Sequence, residues 1–227
     1  MSAPLRLVIF DVDGTLVDSQ SDIVAAMSAA FAAVDHPAPD RARILSFVGL
    51  SLDVLMPQLA PELPASVHAR MIAAYKADYM RLRAEVGVAQ SSPLYPGALE
   101  TLKALHAQPE VLLGVATGKS RRGLDKLIEG HGLEGMFVTQ QVADHHPSKP
   151  HPAMILQALA DTGVAAQQAV MVGDTSFDMD MSAAAGVRGV GVSWGYHGAE
   201  RLNGAAQVIH SFGELEPALG QLWGETL

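Results

Sequence analysis

Leu5-Arg6-Leu7-Val8-Ile9-Phe10-Asp11-Val12-Asp13-Gly14-Thr15-Leu16 is the stretch from which the fold of this chain is read. Its first half is an apolar, β-branched and aromatic run that ends abruptly on acidic residues, the pattern of a buried strand feeding a functional loop. Side chains alternate along an extended chain, so Asp11 and Asp13 point the same way while Val12 turns into the protein. Two carboxylates on one side of a strand end repel each other, and a hard divalent cation such as Mg²⁺, which takes oxygen ligands, would relieve that repulsion. Gly14 permits a tight turn, and the Thr15 hydroxyl can bond locally or to a phosphoryl oxygen. Taken alone, residues 11–16 read equally well as a solvated Asp-Gly turn.

Downstream of this strand the pattern changes. Ile23, Met27, Phe31 and Val34 recur at helical spacing, as do Leu52, Leu55 and Leu59, and Tyr75 and Tyr79 continue the period. Pro37, Pro39, Pro57, Pro61 and Pro64 divide the stretch into several helices. Residues 18–90 therefore read as a small all-helical unit, and the breaker-rich Ser91-Ser92-Pro93-Leu94-Tyr95-Pro96-Gly97 as the linker out of it. Beyond the linker, helices are expected at 98–106, 121–129, 152–160, 179–185 and 214–222, with strands at 111–116, 136–139, 169–173, 187–192 and 207–209. Repeated βα units predict an α/β fold, a doubly wound parallel sheet built from residues 1–17 and 91–227, with the helical unit 18–90 inserted after the first strand.

Three further strand ends carry polar groups. Thr117-Gly118-Lys119-Ser120 offers a hydroxyl and backbone amides near a helix start, which suits an oxyanion, although Thr117 reads equally as an N-cap. A phosphate loop of the Gly-x-x-x-x-Gly-Lys-Ser type is excluded, because Leu113 stands where its first glycine belongs. Lys149 lies in the proline-restricted loop Ser148-Lys149-Pro150-His151-Pro152, where an ammonium group can offset phosphate charge. Asp174 and Asp178 follow the apolar run Ala169-Val170-Met171-Val172, and ligands of open α/β sheets gather at such carboxyl ends. Asp178 by itself reads equally as a first-turn residue favoured by the helix dipole. His145, His146 and His151 flank Lys149 without a spacing that fixes them in one site.

The composition narrows the choices. Of 227 residues, 49% are hydrophobic and 17% charged, which is globular usage. Fifteen Lys+Arg against 24 Asp+Glu give a net charge of −9, so neither nucleic acid nor an anionic membrane surface is expected as a partner. The absence of cysteine removes disulfides, thiolate metal sites and a cysteine nucleophile. No run approaches the roughly 18 apolar residues of a membrane span, and a soluble, cytoplasmic protein is expected.

In this order, Asp11 and Asp13, Thr117, Lys149, then Asp174 and Asp178, the motifs resemble those of the haloacid dehalogenase superfamily, and the resemblance covers nearly the whole chain. It implies that Asp11 is the nucleophile of an aspartyl-phosphate mechanism and Asp13 the general acid/base. Thr117, Gly118 and Lys149 would hold the phosphoryl group, and Asp11, Asp13, Asp174 and Asp178 would support Mg²⁺. The helical unit resembles the mobile cap of the phosphoglycolate phosphatase-like subgroup. Gly118 departs from the Thr-Asn pair common in that subgroup. The resemblance implies a Mg²⁺-dependent phosphatase acting on a small phosphate monoester, with 2-phosphoglycolate the leading candidate and either a monomer or a homodimer as the working form. A sugar phosphomutase and a pyrophosphatase or nucleotidase remain alternatives, as does, from another class, a non-catalytic phospho-receiver module. For its first role Asp13 is expected to have a raised pKa. Arg41, Arg43 and the turn at residues 47–50 are the candidates for substrate specificity.

Overall fold

Leu7, Val8, Ile9 and Phe10 are fully buried because their strand, β1 (Arg6–Phe10), lies at the centre of a sheet covered on both faces. The computed structural model describes residues 4–224. Val8 and Phe10 join the apolar cluster on one face, while Leu7 and Ile9 join the cluster on the other. This two-sided burial is what a continuous apolar run in a parallel sheet requires.

After β1 the chain leaves the sheet for five helices: α1 (Gln20–Ala32), α2 (Arg41–Leu45), α3 (Leu52–Leu59), α4 (Ala65–Val86) and the short α5 (Val88–Ser91). They close around a separate apolar cluster that includes Met27, Phe31, Ile44, Met56 and Met71. Phe177 and Tyr196 of the sheet-bearing body pack against that cluster, so the two units are in contact. The segments joining them run side by side: the Asp18 amide donates to the Pro93 carbonyl (2.9 Å) and the Tyr95 amide to the Leu16 carbonyl (3.0 Å).

The remainder alternates as α6 (Ala98–His106), β2 (Val111–Thr117), α7 (Arg121–His131), β3 (Thr139–Val142), α8 (Ala153–Thr162), β4 (Ala169–Gly173), α9 (Ser176–Ala184), β5 (Arg188–Val192), β6 (Gln207–Ile209) and α10 (Leu215–Trp223). The six strands found among the described residues are parallel, in the order β3-β2-β1-β4-β5-β6. The chain winds to one side of β1 through β2 and β3, and to the other through β4, β5 and β6. The end of β1 is thus the topological switch point, where open α/β sheets leave a crevice for ligands.

Two expectations need correction. The short strand expected at 136–139 lies at 139–142, pairing Thr139 with Gly114 and Val142 with Thr117. Met136 and Phe137 are buried, yet they pack from a turn. The true strand looks polar because it is an edge, where the Gln141 amide is satisfied by Thr139 Oγ1 and Asp161 Oδ2, both at 2.7 Å. Pro57 also does not separate helices. It sits inside α3, two residues before the helix ends, where its missing N–H costs a single bond.

Candidate active site

Asp11 follows the last residue of β1 and is buried, with its backbone amide donating to the Val172 carbonyl at 2.9 Å. Lys149, from the loop before α8, brings its buried Nζ to 2.9 Å from Asp11 Oδ1 and 2.6 Å from Asp178 Oδ1. Asp178 Oδ2 accepts from the Thr175 amide (3.0 Å) and hydroxyl (2.7 Å), completing a capping box at the start of α9. Both sequence readings of Asp178 are therefore realised at once: it caps the helix and it holds the lysine. Asp174, at the end of β4, accepts from the Thr15 hydroxyl (2.9 Å) and the Tyr196 amide (2.8 Å). Gly14 is required here. Its φ is +85°, and a Cβ would collide with the Asp174 carboxylate.

Asp11, Asp174 and Asp178 are buried and offer carboxylate oxygens that all lie within 4.8 Å of one another. Lys149 is their one paired cation among the described residues. Burial raises the Asp11 pKa, Lys149 opposes this, and Asp178 adds to it, leaving the group at about 7. Burial, followed by the charges of Asp178 and Asp11, pushes Asp174 well above the usual carboxylate range. For Lys149 burial acts against the charge, but the two aspartates prevail and hold it above the usual lysine range. Three crowded acids with one ammonium are short of positive charge, and their oxygen donors suit a hard cation.

Asp13 stands apart from this cluster. Its carboxylate accepts from Lys119 Nζ (2.8 Å) and the Ser19 hydroxyl, and Ser19 is also bonded to the Tyr196 hydroxyl. Burial works to raise its pKa, but the Lys119 charge, with hydrogen bonds from Lys119 and Ser19, brings it below the usual value. The expected upward shift is thereby corrected: its nearest charged neighbour is an ammonium group, where the sequence had suggested carboxylates.

Thr117 closes β2, and its buried Oγ1 accepts from the Lys119 amide at 3.2 Å. The N-cap of α7 is Ser120, which accepts from the Gly123 amide, so Thr117 is not spent on capping. At Gly118 a Cβ would come 2.6 Å from the carbonyl oxygen of Gly49. Only glycine lets the 48–50 turn of the helical unit settle this close. Of the histidines near Lys149, His146 bonds Gln141 and His151 accepts from the Ala153 amide. Neither belongs to the acidic cluster.

Above this floor lies a cavity of about 610 Å³. Asp11, Asp13, Thr117, Gly118 and Lys119 line its base, and Ile23, Met27, Leu52, Leu55, Tyr75, Tyr79 and Arg83 belong to the helical side. Val48, Gly49 and Leu50 of the expected specificity turn also face it. Arg41 and Arg43 do not: Arg41 bonds Gln20, and Arg43 lies over the Phe47 ring with a bond to the Gln58 carbonyl. The sequence reading missed Lys119, Ser19, Tyr196 and Arg83. Lys119 was read only for its amide, and no motif marks the other three. Besides the bonds of Ser19, the units are joined near the site by the Ser51 amide, which donates to Ser148 Oγ, and by His197, whose Nε2 lies 3.0 Å from the Ser46 carbonyl.

Comparison with known proteins gives concordant results. Residues 8–192 match the family model described as haloacid dehalogenase-like hydrolase. The chain is 36% identical over 214 residues to a probable phosphatase, IndB, of Dickeya dadantii, covering 92% of this chain and 91% of that protein. It is 31% identical over 239 residues to the phosphoglycolate phosphatase of Escherichia coli K12, covering 95% and 93%. Among solved structures, a hydrolase from Pseudomonas syringae superposes with a TM-score of 0.83 at 25% identity, covering 95% of this chain and 98% of that one.

Proposed function

The chain belongs to the haloacid dehalogenase-like hydrolase family as one of its phosphatases, and we propose that it cleaves a small phosphate monoester with Asp11 as nucleophile and Mg²⁺ as cofactor. The observation that carries this reading is the meeting of Asp11, Lys149, Asp174 and Asp178 at the switch point of the sheet. The donor set fits the metal, because three buried carboxylates share one ammonium group. Asp11, Asp174 and Asp178 would hold the ion, and Asp178, bonded to Lys149 and Thr175, also orients the lysine. When bound, Mg²⁺ supplies positive charge that screens the nucleophile from the phosphoryl oxygens.

The work of the chain's own residues then follows. An Asp11 oxygen attacks phosphorus in line; the bond to the ester oxygen breaks and an aspartyl-phosphate forms. Lys149 and the Thr117 hydroxyl take charge developing on the phosphoryl oxygens. Asp13 delivers a proton to the leaving oxygen and later takes one from the water that hydrolyses the aspartyl-phosphate. For the first of these steps Lys119 must loosen from Asp13 as the substrate enters, since their pairing favours the carboxylate.

Residues 18–90 serve as a cap over the body formed by 1–17 and 91–227, with the paired segments around Leu16–Asp18 and Pro93–Tyr95 as its hinge. A closed cap admits a small ester and excludes bulk water. Two-carbon 2-phosphoglycolate is the first substrate to test, on the strength of the similarity to phosphoglycolate phosphatases. The experiment is phosphate release from a panel of small esters with Mg²⁺ or chelator, for wild type and Asp11→Asn. Release that needs Mg²⁺ and Asp11 supports the reading, and undiminished turnover by Asp11→Asn would end it.

A further inference from the structure

One buried cation lining the cavity has no ion-pair partner among the described residues, although its charge is felt at Asp13. Arg83, three residues before the C-terminal end of α4, is only 8% exposed. Its Nη1 donates to the Gly123 carbonyl at 3.2 Å, while Nε and Nη2 are buried without any partner. No carboxylate pairs with it among the described residues. The other basic residues lining the cavity are engaged or exposed: Lys119 pairs with Asp13, and Lys76, Arg122 and Lys126 are solvated. A buried guanidinium with two unused donor nitrogens is unfavourable unless a ligand completes it.

Its position says which ligand. The Arg83 guanidinium carbon lies 5.0 Å from the centre of the Tyr79 ring, and Lys119 Nζ lies 5.2 Å from the same centre and 2.8 Å from Asp13. Arg83 is therefore one aromatic ring away from the acid/base residue, in the cavity that Asp11 also lines. The fork of a guanidinium matches the two oxygens of a carboxylate or phosphate. We propose that Arg83 is a specificity-determining residue that binds a second anionic group of the substrate, so that the substrate is a phosphate monoester of an acid. The unengaged Nε and Nη2 atoms, enclosed in this arrangement, are the donors that the anion would meet once the helical unit loosens to admit substrate, and the Tyr79 ring packs beside the guanidinium. This subsite rests on the phosphatase reading of the floor. The apolar side chains of Ile23, Met27, Leu52 and Leu55 offer no competing partner, and the cavity has room for acids larger than glycolate.

The test compares 2-phosphoglycolate, ethylene glycol bisphosphate and ethyl phosphate, which end in a carboxylate, a phosphate and a methyl group. Wild type and Arg83→Gln are assayed on each, and binding of the same three esters is titrated on Asp11→Asn and on Asp11→Asn/Arg83→Gln. Loss of a charge-assisted hydrogen bond should lower kcat/KM for the preferred acidic ester roughly ten- to hundredfold, chiefly through KM, and leave ethyl phosphate nearly unchanged. Arg83→Lys should recover part of the loss, since it restores charge without the fork. Whichever acidic ester depends more on Arg83 identifies the anion. An equal loss for all three esters would show that Arg83 only braces α4 against Gly123, and would overturn the proposal. If Arg83→Gln does not fold, Arg83→Lys and the binding preference of Asp11→Asn decide: equal affinity for ethyl phosphate and both acidic esters refutes the subsite. If wild type cleaves none of the esters, the phosphatase reading fails instead, and the titrations still decide the role of Arg83.

Discussion

The floor and the roof of the cavity solve opposite problems. On the floor, Asp11, Asp174 and Asp178 crowd three carboxylates around one ammonium group, so the site lacks positive charge. In the roof, Arg83 has two donor nitrogens and no acid, so the site lacks negative charge. Under the proposals above, a metal ion would complete the first and an anionic substrate group the second, with a phosphate ester of an acid spanning the two. Even within the floor the contrast is sharp: burial, with the charge of Asp178, pushes Asp11 up to about 7 against the pull of Lys149, while Lys119 overcomes burial and holds Asp13 low.

The most damaging way to break the contrast is to remove the floor's own cation. Lys149→Met should lower kcat by about a hundred- to a thousandfold, the scale of losing one charge-stabilising donor. It also leaves Asp11 and Asp178 unpaired in the interior, so thermal unfolding in chelator should show a clear loss of stability, of about 3–5 kcal/mol. Next is the metal itself. Mg²⁺ at a hundred times its Kd should stabilise wild type by about 2.7 kcal/mol. Asp174→Asn should abolish that increment while unfolding no more readily than wild type in chelator, because it removes repulsion. Differential scanning calorimetry with and without Mg²⁺ checks both.

The floor was legible in the sequence and the roof was not, for a physical reason. Asp11, Thr117 and Asp174 sit at or just after strand ends and Lys149 in the loop that follows β3, and a parallel sheet brings such ends and loops together whatever the helices do. Asp178 follows by one helical turn. Cap residues have no such rule: Tyr75 and Tyr79 repeat with the period of any buried helix face, and Arg83 reads as one more solvated charge until tertiary packing buries it. Arg41 and Arg43 show the converse error, since their basic side chains suggested specificity and their contacts lie elsewhere. Lys119 reaches Asp13 through a long flexible side chain that no spacing argument could orient. The β3 strand was misplaced because its polar residues are satisfied by neighbours distant in sequence.

Smaller effects should come from the seam between roof and floor. Gly118→Ala places a Cβ 2.6 Å from the Gly49 carbonyl, a backbone atom that cannot swing aside. The cap turn should be displaced, lowering kcat/KM by about tenfold, the scale set by small misplacements near a reacting centre, with little change in melting temperature. The gentlest probe is His197. Its Nδ1 accepts from the Ser176 amide, so its Nε2 carries the proton and donates to Ser46. This neutral form is favoured, since burial lowers its pKa below the usual value of 6.5. Its contribution to stability is fully present above about pH 6.5 and is lost as the pH falls through the lower folded value. The melting-temperature difference between wild type and His197→Ala should accordingly shrink on acidification; a difference that grows would refute this pairing.

That an Asp11 carboxylate oxygen takes the phosphoryl group, as proposed, can be tested directly. Asp13→Asn retains the nucleophile but lacks the proton acceptor for the second step, so with phosphorus-labelled p-nitrophenyl phosphate it should accumulate covalent label. Acid quenching followed by peptide mapping should place that label on Asp11, and Asp11→Asn should show none. Label on any other residue, or label persisting in Asp11→Asn, would contradict the account.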